Sequence, residues 1–150
     1  RKEQGMEPQN YKIVLGTWAD LERDAASVRE EVFIQEQGVS VEEEMDQRDP
    51  ACIHAVAYGP DGTAAGTGRL LPDGHIGRMA VRKPHRGKGV GALLLAQLVD
   101  EARRRGHLQV ELAAQVHAQA FYAAQGFVAE GPVFLDAGID HVNMRRVLTA

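Results

Sequence analysis

Apolar and polar positions alternate over residues 11–15, which predicts a strand; Leu21, Ala25, Val28 and Val32 then recur at helical intervals and predict a helix over residues 20–37. Asp20 is placed to cap its start and Gly38 to end it. Residues 41–50 are acidic, show no period and read as an irregular segment. The short apolar runs that follow are separated by Gly59-Pro60-Asp61-Gly62 and Leu71-Pro72-Asp73-Gly74, both strong turn signals, so residues 53–58, 63–71 and 75–82 form an antiparallel meander. A second helix over residues 89–105 puts Leu93, Leu94, Leu98 and Ala102 on one face and basic residues at its C-terminal end, where the helix dipole favours them. After Gly106 come a buried strand over 108–113, a short helix over 117–125 ended by Gly126, and two strands over 127–135 and 139–148 that turn at Asp136-Ala137-Gly138.

Size and composition set the frame for these elements. A chain of 150 residues buries enough surface for one core, so residues 11–150 read as a single domain behind a flexible start over 1–10, with Met6 a candidate true start after tag residues. The balance of 44% apolar and 25% charged residues is that of a globular protein, and no window reaches the ~20 apolar residues of a membrane helix. The opening RKEQGMEPQN lacks the apolar stretch of a secretory signal, and Cys52, the only cysteine, has no internal partner; both fit a cytoplasmic protein. A net charge of -4 argues against nucleic acid as the partner.

The turn before the second long helix carries the chemistry. There Arg86-Gly87-Lys88-Gly89-Val90-Gly91 follows a strand and opens the helix, so main-chain N–H groups without intrahelical partners point at one spot. Glycine lets a ligand approach the backbone, and Arg86 and Lys88 favour a multiply charged anion such as a diphosphate. Three readings compete: a glycine-rich turn with a solvated basic face, a dinucleotide site, and an acyl-carrier site. Residues 87–92 formally satisfy G-x-G-x-x-A, with Glu111 further on at a strand, but five residues separate the preceding strand from the first glycine and the elements before it form a meander rather than a βαβ unit. A nucleotide-hydrolase phosphate loop is excluded by the absence of Gly-Lys-Ser/Thr.

The acyl-carrier reading rests on a resemblance. Arg86-Gly87-Lys88-Gly89-Val90-Gly91 resembles the R/Q-x-x-G-x-G/A signature of the GCN5-related N-acetyltransferase (GNAT) superfamily, and the run from Gln115 through Ala118, Phe121 and Tyr122 to Gly126-Phe127 resembles its N-x-x-A-x-x-F-Y-x-x-x-G-F block. Upstream, REEVFIQEQG at 29–38 and EMDQRD at 44–49 are similar to a subgroup of small bacterial members, so the resemblance spans residues 11–148. It implies an α/β (α+β) fold with a central mixed, mostly antiparallel twisted sheet of six to seven strands flanked by about four helices. It also implies acetyl-coenzyme A as the acyl donor and a small-molecule or peptide amine as the acceptor. Residues 86–92, including Val90 and Ala92, are expected to hold the pyrophosphate, and the main chain of Met79, Ala80 and Val81 to pair with the pantetheine arm where the strand splays from its neighbour after Leu108. Dimerisation is common in proteins of this resemblance, which implies a monomer or a homodimer.

Acetyl transfer needs a docked donor, a neutral amine, oxyanion stabilisation and a proton for the departing thiolate. The resemblance gives that proton to Tyr122, whose phenol is protonated at neutral pH. Glu111 and His117 are the base candidates, with Glu31 and Glu36 more remote ones. Gln115 stands where the family pattern has Asn, which keeps the amide and lengthens its reach. Cys52 reads as buried packing, since only His54 stands near it to lower its pKa. No metal-binding motif is present. Residues 42–46 read as a solvated loop or as an acidic rim that attracts a cationic amine. Two other functions stay open: a non-catalytic module that binds acetyl-coenzyme A or a nucleotide, and nucleic-acid binding through the basic residues 82–88 and 103–105, which lack interleaved aromatics.

Overall fold

The computed structural model describes residues 10–148; the expected flexible start over 1–10 falls, apart from Asn10, outside them. In chain order the elements are β1 (Lys12–Gly16), α1 (Trp18–Arg29), α2 (Val41–Glu44), β2 (Ile53–Tyr58), β3 (Ala64–Leu70), β4 (Ile76–Val81), α3 (Val90–Arg104), β5 (Gln109–Gln115), α4 (Gln119–Ala124), β6 (Val128–Asp136) and β7 (Ile139–Val147). The expected α+β architecture is present as two antiparallel sheets, β1-β2-β3-β4 and β5-β7-β6.

Helix α1 begins earlier than its apolar period suggests. Thr17 is the N-cap, and its side chain accepts from the Asp20 N–H while the Asp20 carboxylate accepts from the Thr17 N–H, so Asp20 is the third residue of a capping box rather than the cap. From Glu30 to Glu36 the helix widens, and the Gln37 N–H reaches the carbonyl of Val32, five residues back. The acidic stretch is also ordered: Ser40 and Glu43 form a second capping box at α2, and a 3₁₀ turn follows at Asp49–Ala51.

Both faces of the first sheet are covered. On β2, Ala55 and Ala57 face α3, while Val56 packs beneath Leu21 and Ala25 of α1. Helix α3 inserts Leu94, Leu95, Leu98 and Val99, each worth about 1.5–3 kcal/mol on full burial. Leu93, assigned to this face by spacing, is only half-buried. Strand β4 carries an extra residue against β3: Thr67 lies opposite Ala80, and Arg69 opposite Gly77. Within this bulge Arg78 takes φ 50, a left-handed backbone uncommon outside glycine. The bulge returns Met79 to the α3 face, over Gly68, where an added Cβ would lie 2.4 Å from the Met79 sulfur. Gly68 is therefore the seat on which the centre of β4 rests.

Candidate active site

Strands β4 and β5 meet at a single parallel bridge, His75 with Glu111, where the Glu111 N–H donates to Gly74 at 3.2 Å. Beyond it the two sheets part, and the facing main-chain edges of Met79–Val81 and Ala113–Gln115 border a cleft of about 920 Å³. Phe33, Glu36 and Gln37, from the widened end of α1, also line it. An opened strand edge of this kind offers unpaired N–H and C=O groups to an extended ligand.

At the end of β4 the chain passes through Lys83–His85 into the glycine-rich turn. Gly87 and Gly89 take φ 78 and φ 81, and Gly89 is the N-cap of α3 with no side chain satisfying the first turn of the helix. The N–H groups of that turn are therefore available to an anion, with the exposed Lys88 beside them. Arg86 is committed elsewhere: both its terminal nitrogens bind the Glu36 carboxylate at 2.6 and 2.7 Å, and its Nε donates to the Val81 carbonyl at 2.9 Å. Hydrogen bonding from Arg86 holds the Glu36 carboxyl below its ordinary range. The residues present fit a diphosphate held mainly by main chain and Lys88, with Arg86 tying the turn to α1.

Helix α4 brings the second motif to the first. Phe121 closes on Gly91, whose added Cβ would lie 3.4 Å from the ring, so Val90 is left to fill the core while Gly91 and Ala92 stay near the surface. Tyr122 is edge-on to Phe121 and Phe127, lines the cleft, and has its phenol pushed up to about 12 by burial. Ala118, Gln115 and His117 line the same cleft. The Gln115 amide is engaged: its Nε2 donates to Gln37 at 2.9 Å, and its Oε1 accepts from Gln37 at 3.3 Å and from His117 Nε2 at 2.6 Å. Gln115 thus links β5 to the end of α1 across the cleft.

Of the other base candidates, Glu111 stands away from this group, and Glu31 and Glu36 are held by arginines. Glu111 lies at the bridge beside a smaller cavity, where its carboxylate accepts from Gln109 at 3.0 Å, and it does not line the main cleft. Glu31 is paired with Arg82 at 3.0 Å, and Glu36 with Arg86. Of the four, only His117 faces the cleft without a cationic partner. Cys52 is buried, its thiol donates to the Arg48 carbonyl at 3.3 Å, and burial pushes its pKa up.

The acidic stretch is not a solvated loop. Asp49 is buried and accepts two hydrogen bonds from Arg29, at 2.9 and 3.1 Å, and one from Arg69 at 2.7 Å; Glu44 takes Arg29 Nε at 2.5 Å and Asp46 takes Arg69 at 2.5 Å. Burial opposes ionisation of Asp46, but hydrogen bonds from Arg69 and the Arg48 N–H prevail and hold its pKa at about 2. His54 donates from Nε2 to the Asp49 carbonyl, packs at a tilt against Trp18, and has its pKa lowered by burial. Arg78 reaches this cluster from the bulge. Burial, with Arg69 and Arg29 adding positive charge, pulls its guanidinium below the ordinary value. None of these pairs was visible in the order of residues, but one signal was present: Arg29, eight residues after Leu21, falls on the buried stripe of α1.

Residues 19–148 match the family model described as the acetyltransferase (GNAT) domain. The chain is 38% identical over 138 residues to an uncharacterized N-acetyltransferase of Bacillus subtilis, with 90% of this chain and 99% of that one covered. Among solved structures it resembles an acyl-CoA N-acyltransferase from Pseudomonas aeruginosa, with TM-score 0.81 and 33% identity over 91% of this chain and 99% of that one. It also resembles ElaA of Escherichia coli, with TM-score 0.81 and 25% identity over 90% and 99%. Among the described residues no helix is long and apolar enough to cross a membrane.

Proposed function

Because the chain belongs to the GNAT acetyltransferase family, we propose that it transfers an acetyl group from acetyl-coenzyme A to a primary amine by direct attack on the thioester. The observation that best supports this reading is the approach of Phe121 to Gly91 of the glycine-rich turn, while its neighbour Tyr122 lines the cleft that Arg86 of that turn also lines. The donor supplies an activated acyl carbon. The chain supplies its placement: N–H groups at the start of α3 and Lys88 hold the diphosphate, and the Met79–Val81 edge, apart from the Val81 carbonyl that Arg86 already holds, pairs with the amide-bearing arm.

In the transfer the amine nitrogen bonds to the acyl carbon, the carbon–sulfur bond breaks, and the sulfur leaves with the bonding pair. Tyr122 gives its proton to that sulfur and regains one from solvent. The proton lost by the amine passes to His117, whose Nε2–H is held by Gln115 Oε1, leaving Nδ1 free to accept it. With its pKa near 12 the phenol stays protonated over the whole working range and is available to donate throughout it.

Calorimetry with coenzyme A and steady-state kinetics over an amine panel test the proposal. Coenzyme A is expected to bind, and Tyr122→Phe to lower kcat by ~10²–10⁴ with donor affinity unchanged. Undiminished turnover in Tyr122→Phe removes the general acid. Tight coenzyme A binding without turnover of any amine makes the domain a binding module instead, and no binding at all sinks the proposal.

A further inference from the structure

Among the described residues that line the cleft, Arg78 is the guanidinium of the buried cluster that its carboxylates satisfy least. Three guanidinium groups and three carboxylates meet behind β4, and they do not share evenly. Arg29 and Arg69 take Asp49, Glu44 and Asp46 at 2.5–3.1 Å, whereas the nearest carboxylate oxygens to Arg78 stand 3.6 Å away on Glu44 and 3.7 Å away on Asp46, beyond hydrogen-bond reach at Nε. Arg78 makes one hydrogen bond to protein, from Nη2 to the Glu44 carbonyl at 3.2 Å. Its Nε is buried with no partner. Yet its side chain is 28% exposed and lines the cleft one residue before Met79, the start of the edge assigned to the donor.

The backbone reinforces this placement. Arg78 occupies the left-handed position of the β4 bulge at φ 50, a conformation strained for a non-glycine residue, on a strand whose Ile76 and Met79 pack toward the α3 core. A glycine would hold that position without strain. A half-buried guanidinium with open donors also favours an anion more strongly than an exposed one does, because less water competes for it. Glu43, Asp73 and Asp136 line the cleft as well, and so does the exposed Arg48, so both signs of charge face an incoming acceptor; of the two arginines free to take an anion, Arg78 is the one on β4 beside Met79.

We infer that the acceptor amine carries an anionic group, a carboxylate or a phosphate, on the same molecule, and that Arg78 binds it. This deepens the acetyltransferase reading and rests on it for the role of the bound molecule, while the anion site itself is measurable without any transfer. An anion on Arg78 is presented next to the Met79–Val81 edge, so the amine on the same molecule lies toward the acyl group. Arg78 is then a specificity-determining residue.

Three amines of one length test this: β-alanine, 2-aminoethylphosphonate and propylamine, which differ only in the terminal group. Their binding to the full chain is measured by calorimetry, with and without saturating coenzyme A. On the wild type at least one of the two anionic amines is expected to bind tenfold or more tightly than propylamine, and the stronger of the two identifies the anion. Arg78→Gln is expected to erase that advantage and leave the binding of propylamine and of coenzyme A unchanged; Arg78→Lys keeps part of it, since charge survives and the fork does not. Propylamine binding as tightly as both anionic amines on the wild type overturns the inference with no variant needed. So does an advantage that persists in a folded Arg78→Gln protein. Absence of coenzyme A binding in the same titrations would instead strike the acetyltransferase reading, leaving the anion result to stand on its own.

Discussion

The two ends of β4 prepare for charge by opposite means. After Val81 the glycine-rich turn offers an anion the N–H groups of α3, a feature of consecutive residues, and ties its own arginine to Glu36. Before Met79 the cluster of three arginines and three carboxylates is made of side chains from α1, the acidic stretch, β3 and β4, held together only by the folded chain. Main-chain donors have fixed partial charges and need no counterion. Guanidinium groups need one each, and their arrangement depends on burial. The first region should therefore tolerate changes elsewhere in the protein, while the second should fail as a unit.

The sharpest way to break this contrast is at Asp49, which holds two buried arginines at once. Asp49→Ala leaves Arg29 and Arg69, 2% and 4% exposed, without their shared carboxylate, and is expected to cost about 3–5 kcal/mol in denaturant unfolding. Asp49→Asn keeps the shape and one acceptor and should cost less. Coenzyme A affinity, measured where the variant is still folded, is expected to be unchanged. A parallel loss of both would mean that the two ends of β4 are one system.

Acid separates the regions more gently. Asp46 has a folded pKa of about 2 against an ordinary value of 3.8, so its contribution is complete above pH 3.8 and disappears as pH falls from there toward 2; the difference corresponds to about 2 kcal/mol. Asp49 is lowered as well and adds to the same fall. Thermal unfolding of the wild type should thus weaken steeply between pH 4 and 2. Asp46→Asn should lower stability at pH 7 and flatten that slope, and an unchanged slope would show that Asp46 is not paired in solution.

This contrast also explains what could be read in the order of residues. The meander, α3 and the turn before it were legible because turn residues, helical period and a run of glycines are local signals, and Tyr122 stood in a motif with its neighbours. The cap at Thr17 escaped because Asp20, three residues on, is an equally good capping residue and the apolar stripe begins only at Leu21. The acidic stretch reads as solvated since its partners lie 15–34 residues away in the chain, and nothing in EEEMD shows that Arg29 and Arg69 are buried against it. Glu111 was expected near the chemistry from its place on β5, but the bridge to His75 closes the sheets at that point and the cleft opens only beyond it. Sequence position gave the strand, and the single pairing decided which of its residues face the site.

The smallest effect concerns the turn itself. Gly87 has φ 78, and a Cβ added there meets nothing within 4 Å, so Gly87→Ala introduces no clash and any cost is that of the backbone conformation, about 1–2 kcal/mol. If the turn's shape is what aims the N–H groups, relaxation of this strain should weaken coenzyme A binding by up to about tenfold, since ~1.4 kcal/mol corresponds to that factor. Gly87→Asn should lose less, because asparagine enters the left-handed region more readily than alanine. Stability of the buried arginine cluster, followed through the acid slope, should not move in either variant. Equal losses in the alanine and asparagine variants would show that it is the space above Gly87, needed by the ligand, and not the backbone angle that requires glycine.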